Sequence, residues 1–520
     1  MMKHLFWLLL LPLLLWVGIL TLKPIELATA DLGRHLQNGQ QILEHGLHSP
    51  VLYQNTYSYV TGEYPTLNHH WLFGVIAQLL YRIGGFSVLS WLAAGATMLA
   101  TALVFKIASD RSSALAAAAA AFVLMPLIAN RTEVRPELMS MVFLSLSLWL
   151  IDRFRQQKLS WKWLFVSLGL MQLVWVNTHI FFIFGIGIPI VFGLCSPKSE
   201  WRKWLSLTIL LILVSCLNPH GVVGLLEPLT IFHGYEYQVV ENQSLRFMVR
   251  RFGRPIYWYV AALFFLLFLW QIKPLWQQLR QKKLDRHLLP YQLLTMVFVL
   301  VDLRIIRLFP FTGLVALPLI APQLHSLAKW LQPRLKEVET AQIWSLGLPL
   351  ATISIVFCIA SGLFAPQDGV VGFGLQPDNQ TALKFLQEHV PDPIFNNYDV
   401  GGMLIFALYP DHLVYTDNRP EAYPHGFFPD RYIKPQEDDE RWNALLDQYQ
   451  FQSIVFYRLD ATPWGQPFLI RRMAEDQWQP VYVDSSIIIL ARNSDSNAAL
   501  ISQYGIDKSN FSGVPTIPRL

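Results

Sequence analysis

Charge is scarce: only 15% of the 520 residues are Asp, Glu, Lys or Arg, against 53% hydrophobic ones, which excludes a disordered chain and an ordinary soluble enzyme. Cysteine is scarcer still. Cys195, Cys216 and Cys358 all lie inside apolar blocks, where neither disulfide pairing nor a thiolate metal site is expected, so they read as packing residues. No HExxH, CxxC, GxSxG, Walker or GxGxxG pattern occurs in a supporting context, so the usual soluble hydrolase and nucleotide sites are not supported. There is no internal repeat, and the ionisable residues cluster at one face, which together disfavour a transporter.

What fills the chain to about residue 365 is a series of apolar runs long enough for the ~30 Å hydrocarbon layer. About eleven spans are predicted by length and by Lys/Arg flanks, near 5–22, 86–105, 113–129, 137–151, 161–176, 180–195, 203–217, 256–272, 288–302, 307–322 and 344–365. The basic segments Lys106–Arg111, Arg153–Lys162, Lys198–Lys203, Lys273–Arg286 and Lys329–Lys336 fall on one side with Lys3, so the positive-inside rule puts the amino terminus in the cytoplasm. Ala28-Thr29-Ala30 imitates a signal-cleavage site, but an apolar run of ~18 residues is longer than the usual signal core and reads as a retained first span. The expectation is a polytopic α-helical membrane protein. Residues 1–365 form its transmembrane domain with an external loop 23–85, and an extracytoplasmic α/β domain follows over 366–493, with a loosely held tail over 494–520.

Residues 366–520 carry 20 acids and 11 bases, so the membrane half is basic and the tail acidic. Within the tail, Ala382–His389, Gly401–Tyr409 and Trp442–Tyr449 read as helices and Pro393–Asn397, His412–Thr416 and Ser453–Tyr457 as strands. A hairpin of Val481–Val483 with Ile487–Ala491 closes it, and the alternation predicts an open, mostly parallel sheet.

The outer side of the membrane half holds ten Arg and one Lys. Topology needs only positive charge, whereas a guanidinium grips phosphate or carboxylate with a planar fork. Arg131, Arg135, Arg304 and Arg307 sit at outer span ends, the last two spaced to share one helix face if their turn stays helical. Headgroup snorkelling is the plain alternative for such arginines. The external loop opens with Asp31, Arg34 and His35 on one face of an amphipathic helix, where Asp31 is also suited to cap the helix start. His69 and His70 precede a second amphipathic helix, Trp71–Tyr81. Asn177, His179, Asn218, His220 and Glu241 recur at other outer ends. Polar groups there are costly unless they face each other or a wet cavity, so one outward-opening cleft is expected to gather them.

The run Asp31-x-x-x-His35-x-x-x-Gly39, with Ile42-Leu43-Glu44-His45-Gly46, Thr56-Tyr57-Ser58-Tyr59 and Asn68-His69-His70-Trp71-Leu72, resembles the first external loop of bacterial polytopic GT-C-type glycosyltransferase-like proteins. Arg131-x-x-x-Arg135-Pro136, Trp175-x-Asn177-x-His179, Asn218-Pro219-x-Gly221, the Arg304/Arg307 hairpin, Asn397-Tyr-Asp399-Val-Gly401-Gly402-x-Leu404 and Asp417-x-Arg419 are similar to that group too. The resemblance implies a transferase in a bacterial inner membrane. It would move a sugar from a polyprenyl-phosphate donor to a glycan, lipid or protein acceptor outside the cytoplasm, probing no nucleic acid.

Asp31 matches the position of the group's catalytic acid and is expected to be the base, with inversion at the anomeric carbon. Arg304 and Arg307, helped by Arg131 or Arg135, would face the leaving phosphate, and His35, His69 or His70 would position or tune Asp31. A divalent metal is left open as a cofactor, and Asp31, His35, His69 and His70 would be its donors. The missing Asp-x-Asp or Asp-Glu pair weakens that option. Asp417-Asn418-Arg419 is the candidate for acceptor contact. A catalytically inactive lipid- or glycan-binding protein on the same scaffold is the competing reading.

Overall fold

The computed structural model describes residues 2–231, 236–237, 239–281, 285–335, 362 and 370–511. In chain order its first helices are α1 (Met2–Thr21), α2 (Leu32–His45), α3 (Trp71–Arg111), α4 (Ala114–Ile128), α5 (Glu137–Arg155), α6 (Trp161–Thr178), α7 (Ile183–Leu194), α8 (Trp201–Ser215), α9 (Val222–Thr230), α10 (Leu245–Phe252), α11 (Pro255–Gln281), α12 (Leu289–Asp302) and α13 (Phe309–Leu335). Helices therefore occupy the expected segments from 5–22 to 307–322; the segment 344–365, with Cys358, lies outside the described residues. Among the described residues, four helices are long and apolar enough to cross a membrane: His4–Thr21, Trp71–Arg111, Pro255–Ile272 and Ile306–Leu331. Large apolar side chains such as Leu8 and Leu15 of α1 and Phe265 and Leu266 of α11 point outward, an arrangement that hydrocarbon tolerates and water does not. Cys195 and Cys216 are free thiols.

Helix α3 is two helices joined at Gly84-Gly85, where Gly85 takes φ 61° and ψ −154°. Glycine reaches that conformation without a Cβ penalty. The part before the break is the expected amphipathic helix of the external loop, and the part after it is the apolar span.

Helix α2 lies between that first part of α3 and a helix of the C-terminal domain, α15 (Gly401–Leu408), with α14 (Pro377–His389) between them in sequence. Its apolar residues Leu32, Leu36 and Ile42 are buried at helical spacing. Its glycines fix how near its neighbours come. A methyl on Gly33 would collide with the Gly402 carbonyl oxygen, and one on Gly39 with that of Gly74. Backbone therefore rests on backbone along both sides of α2.

The C-terminal domain carries strands β1 (Ile394–Asn396), β2 (Ser453–Tyr457), β3 (Trp478–Val483) and β4 (Ile487–Arg492). Between them run α16 (Asp439–Tyr449) and α17 (Gly465–Ala474), and α18 (Ala498–Tyr504) follows. The sheet order is β1-β2-β4-β3, with β1 parallel to β2 and the other pairs antiparallel, so the mostly parallel sheet expected from sequence is corrected. The missing parallel strand is 412–416. Its backbone is taken up elsewhere: Val414 exchanges hydrogen bonds with Tyr57 (2.9 Å) and Tyr59 (3.3 Å) of the external loop, and the Asn396 side chain accepts from Tyr415 N (2.9 Å) and donates to Thr416 O (2.8 Å). Of the tail expected to be loosely held, residues 494–511 are described and 512–520 lie outside the described residues. Tyr504 of α18 packs at a tilt against His389, 4.7 Å between ring centres, and shares a 3.0 Å hydrogen bond with it, which ties α18 to α14.

The close seating of α2 gives a direct test. Gly33→Ala should cost about 1–3 kcal/mol by forcing α2 off α15, read as a lowered Tm of the purified protein. Gly95→Ala, in open space within α3, should be neutral or mildly stabilising.

Candidate active site

Asp31 stands at the start of α2, but its side chain makes no capping bond, so the capping role open to it in sequence is not taken. Among the described residues its carboxylate has no hydrogen bond or ion pair. Its charge acts on Arg135, Glu133 and Asp399, which places it between the α4–α5 junction and the C-terminal domain. Three residues on, Arg34 is 5% exposed and has no carboxylate partner among the described residues; its Nε is buried and unbonded. A guanidinium taken out of water without a partner is costly.

Three of the other arginines near it are neutralised. Arg131 pairs with Glu241 at 2.9 Å and Glu137 at 3.4 Å, and Arg135 with Glu133 at 2.6 Å and Glu241 at 2.7 Å. Arg307 pairs with Glu137 and lies 3.9 Å from Glu241. Three guanidiniums thus meet three carboxylates. Burial opposes the Glu241 charge, but Arg131, Arg135 and Arg307 outweigh it and hold the carboxyl well below the usual range. Glu133 and Glu137 were not among the sequence-predicted site residues. The alternating run Arg131-x-Glu133-x-Arg135-x-Glu137 was the signal for them.

Arg304 and Arg307 do not share a helix face. Helix α12 ends at Asp302 and Ile305 is extended at φ −142°, so Arg307 turns into the network while Arg304 is exposed. Alongside the network lies a cavity of about 360 Å³, whose lining includes Arg131, Glu133 and Glu241 together with Leu20, Met125 and Ile256. Arg254 also reaches it.

On the far side of α2 the histidines form a row. His35 meets His70 edge-on at 5.5 Å, His69 lies 4.0 Å from His70, and His179 stacks on His70 at 5.2 Å. Trp175 donates to Ser140 Oγ at 2.7 Å, and Ser140 lies 2.8 Å from His179 Nδ1. Burial, followed by the Arg34 charge, lowers His35 well below its ordinary value and His69 to about 3. The rings are therefore neutral donors and acceptors at physiological pH. They face one another, and among the described residues no group of three or more His, Cys, Asp or Glu converges to hold a metal ion. The set Asp31, His35, His69 and His70 does not fit a metal centre.

Other predicted residues serve the frame. Asn177 accepts from Trp71 at 2.8 Å and donates to Leu173 and Leu217 carbonyls at 2.8 and 3.0 Å. Asn218 closes its own turn, bonding Ser215, His220 and Gly221 backbone at 2.8 Å each. His220 packs edge-on against Tyr53 at 5.4 Å. Asp417 and Arg419 pair with each other at 2.7 Å, and Arg419 donates to Asn55 at 2.8 Å, so they clamp the C-terminal domain to the external loop.

At the turn before α15, Asn397 Nδ2 reaches Asp460 at 3.1 Å and Asp399 at 3.5 Å. Burial, with repulsion from Asp460 and Asp31, pushes the Asp399 carboxyl up to about 8. The folded chain then binds a proton that the unfolded chain releases near pH 4, so this group lowers stability as pH rises from about 4 to 8. Asp399→Asn should remove that loss and raise Tm at pH 9 by roughly 2–4 °C, with little change at pH 4. For the network, Glu241→Ala should cost about 3 kcal/mol by leaving buried guanidiniums unpaired, whereas Arg304→Ala should stay within about 0.5 kcal/mol; thermal unfolding of both variants checks this.

No family model and no curated protein matches the chain. Solved structures do. The archaeal oligosaccharyltransferase AglB from Archaeoglobus fulgidus, in complex with an inhibitory peptide and a dolichol-phosphate, superposes with a TM-score of 0.60 at 11% identity, over 95% of this chain and 75% of that one. The apo form of the oligosaccharyltransferase from the same organism gives 0.61 at 12% identity, over 94% and 74%. ArnT from Cupriavidus metallidurans, bound to undecaprenyl phosphate, gives 0.52 at 12% identity, over 94% and 98%. At such identities the likeness is one of architecture, and the chain has the fold of the GT-C-type glycosyltransferases, as its external-loop motifs implied.

Proposed function

We propose that the protein transfers a sugar from a polyprenyl-phosphate carrier to an acceptor outside the cytoplasm, with the amino terminus inside and the C-terminal domain outside a bacterial plasma membrane. One observation carries the reading. Among the described residues Asp31 offers a carboxylate without a partner, and Arg34, one turn along the same helix face, is a buried guanidinium without a carboxylate partner. Every arginine of the neighbouring network is already matched by a glutamate. The dolichol-phosphate and undecaprenyl phosphate named with the structural neighbours supply the donor class.

In the proposed reaction Asp31 takes the proton of an acceptor hydroxyl as its oxygen bonds to the anomeric carbon. The bond from that carbon to the phosphate oxygen breaks on the opposite face, which inverts the configuration. The carrier phosphate leaves with the electron pair and one more negative charge. Arg34 meets that charge, an interaction that strengthens along the reaction coordinate. This role passes to Arg34 from Arg304 and Arg307, because Arg304 faces outward and Arg307 is bound by Glu137. The neutral imidazoles of His35, His69 and His70 orient sugar hydroxyls without adding charge. A mostly protonated Asp399 spares Asp31 a second anion at its side. The cavity whose lining includes Leu20, Met125 and Ile256 beside Arg131 is where the carrier's apolar chain would lie.

Purified protein given undecaprenyl-phosphate sugars and membrane acceptors should show turnover. Asp31→Asn should abolish it, and Arg34→Ala should lower kcat about 10²–10³-fold, both without loss of Tm. Full activity in Asp31→Asn would remove the base assignment. Carrier binding without turnover for any donor would favour the non-catalytic binding protein.

A further inference from the structure

In α2 and in the loop after Thr416, several buried polar atoms have no partner among the described residues: Asn38 Nδ2, both amide atoms of Asn418 and Glu421 Oε2. Native folds leave few such atoms. Asn418 stands out because its neighbours Asp417 and Arg419 are consumed in the clamp to Asn55, while its own amide neither donates nor accepts. Its position is fixed by the glycine contact already described. The point where a Gly402 Cβ would stand is 2.7 Å from Ala30 O, 3.4 Å from Asn418 Nδ2 and 3.6 Å from Asn418 Oδ1. The amide therefore lies beside the backbone that carries Asp31.

A carboxamide with both ends open is one donor group and one acceptor side by side. That matches a vicinal diol, in which one hydroxyl donates to Oδ1 while its neighbour accepts from Nδ2. A phosphate, which only accepts, would engage Nδ2 alone, and a single trans peptide unit, whose N–H and C=O point apart, would engage one end alone. We infer that Asn418 reads the hydroxyl pair next to the attacking oxygen, so that the acceptor is a carbohydrate and the C-terminal domain selects it. The inference rests on the glycosyltransfer reading and adds the acceptor's class and the residue that recognises it.

The test uses the full chain in lipid nanodiscs, titrated with methyl α-D-mannopyranoside and with its 3-deoxy analogue by intrinsic tryptophan fluorescence, and separately with undecaprenyl phosphate. Wild type should prefer the intact glycoside by about 10-fold, since a site built to bond a hydroxyl rejects the analogue lacking it. Asn418→Ala should bind both glycosides equally and weakly, keep undecaprenyl phosphate binding, and keep Tm, because the amide makes no internal bond to lose. Equal discrimination in the variant, no glycoside binding in wild type, or a large fall in Tm that marks the amide as structural would each overturn the inference. Loss of undecaprenyl phosphate binding in wild type would instead count against the donor reading beneath it.

Discussion

Backbone against backbone is the contact on which the site depends. Gly33 lies on Gly402 and Gly39 on Gly74, so α2 is gripped on one side by the C-terminal domain and on the other by the external half of α3. A side chain at any of these positions would act as a spacer and move the helix by a noticeable fraction of an ångström, because packed interiors have little slack. Asp31 and Arg34 ride on the first turn of that helix. Their placement relative to Asp399, Asn418 and the α4–α5 junction is set by glycines that themselves carry no chemistry.

Around this helix the charges are sorted into two kinds. Arg131, Arg135 and Arg307 are matched by Glu133, Glu137 and Glu241, a compensated cluster whose role is to hold together the ends of α4, α5 and α13. Breaking one partner in such a cluster is costly, while the intact set projects little net field. Arg34 is outside the set and buried. In a region of low effective dielectric an uncompensated guanidinium acts strongly on any anion brought near, which is why the proposed chemistry centres on it and not on the more numerous paired arginines.

How much of this was legible in the sequence depends on whether the signal was local. The apolar helices were readable because each is a long run with basic flanks, and Ser453–Tyr457 was readable as a short run of β-branched and aromatic residues between turns. The segment 412–416 reads as a strand on the same grounds, yet its partners are an Asn396 side chain and the external loop hundreds of residues away. Nothing in 412–416 encodes that. Arg304 and Arg307 are three apart, which on a helix means one face, but the helix has already ended at Asp302. The compensating glutamates could have been seen in the alternating charges of 131–137. Asn418 was marked only as the middle of Asp417-Asn418-Arg419; that it is the unbonded member of the three while its neighbours pair is not written in the local sequence.

Two seams join the external loop to the C-terminal domain. Near the first span Ile25 bonds Gly374 at 2.7 Å and Gln376 at 3.0 Å, and further along Tyr57 and Tyr59 bracket Val414. A roof stitched at two separate edges cannot swing open as a flap. Because it is braced in this way, the proposed carrier and acceptor would reach Asp31 past the sides of the roof and not by its lifting.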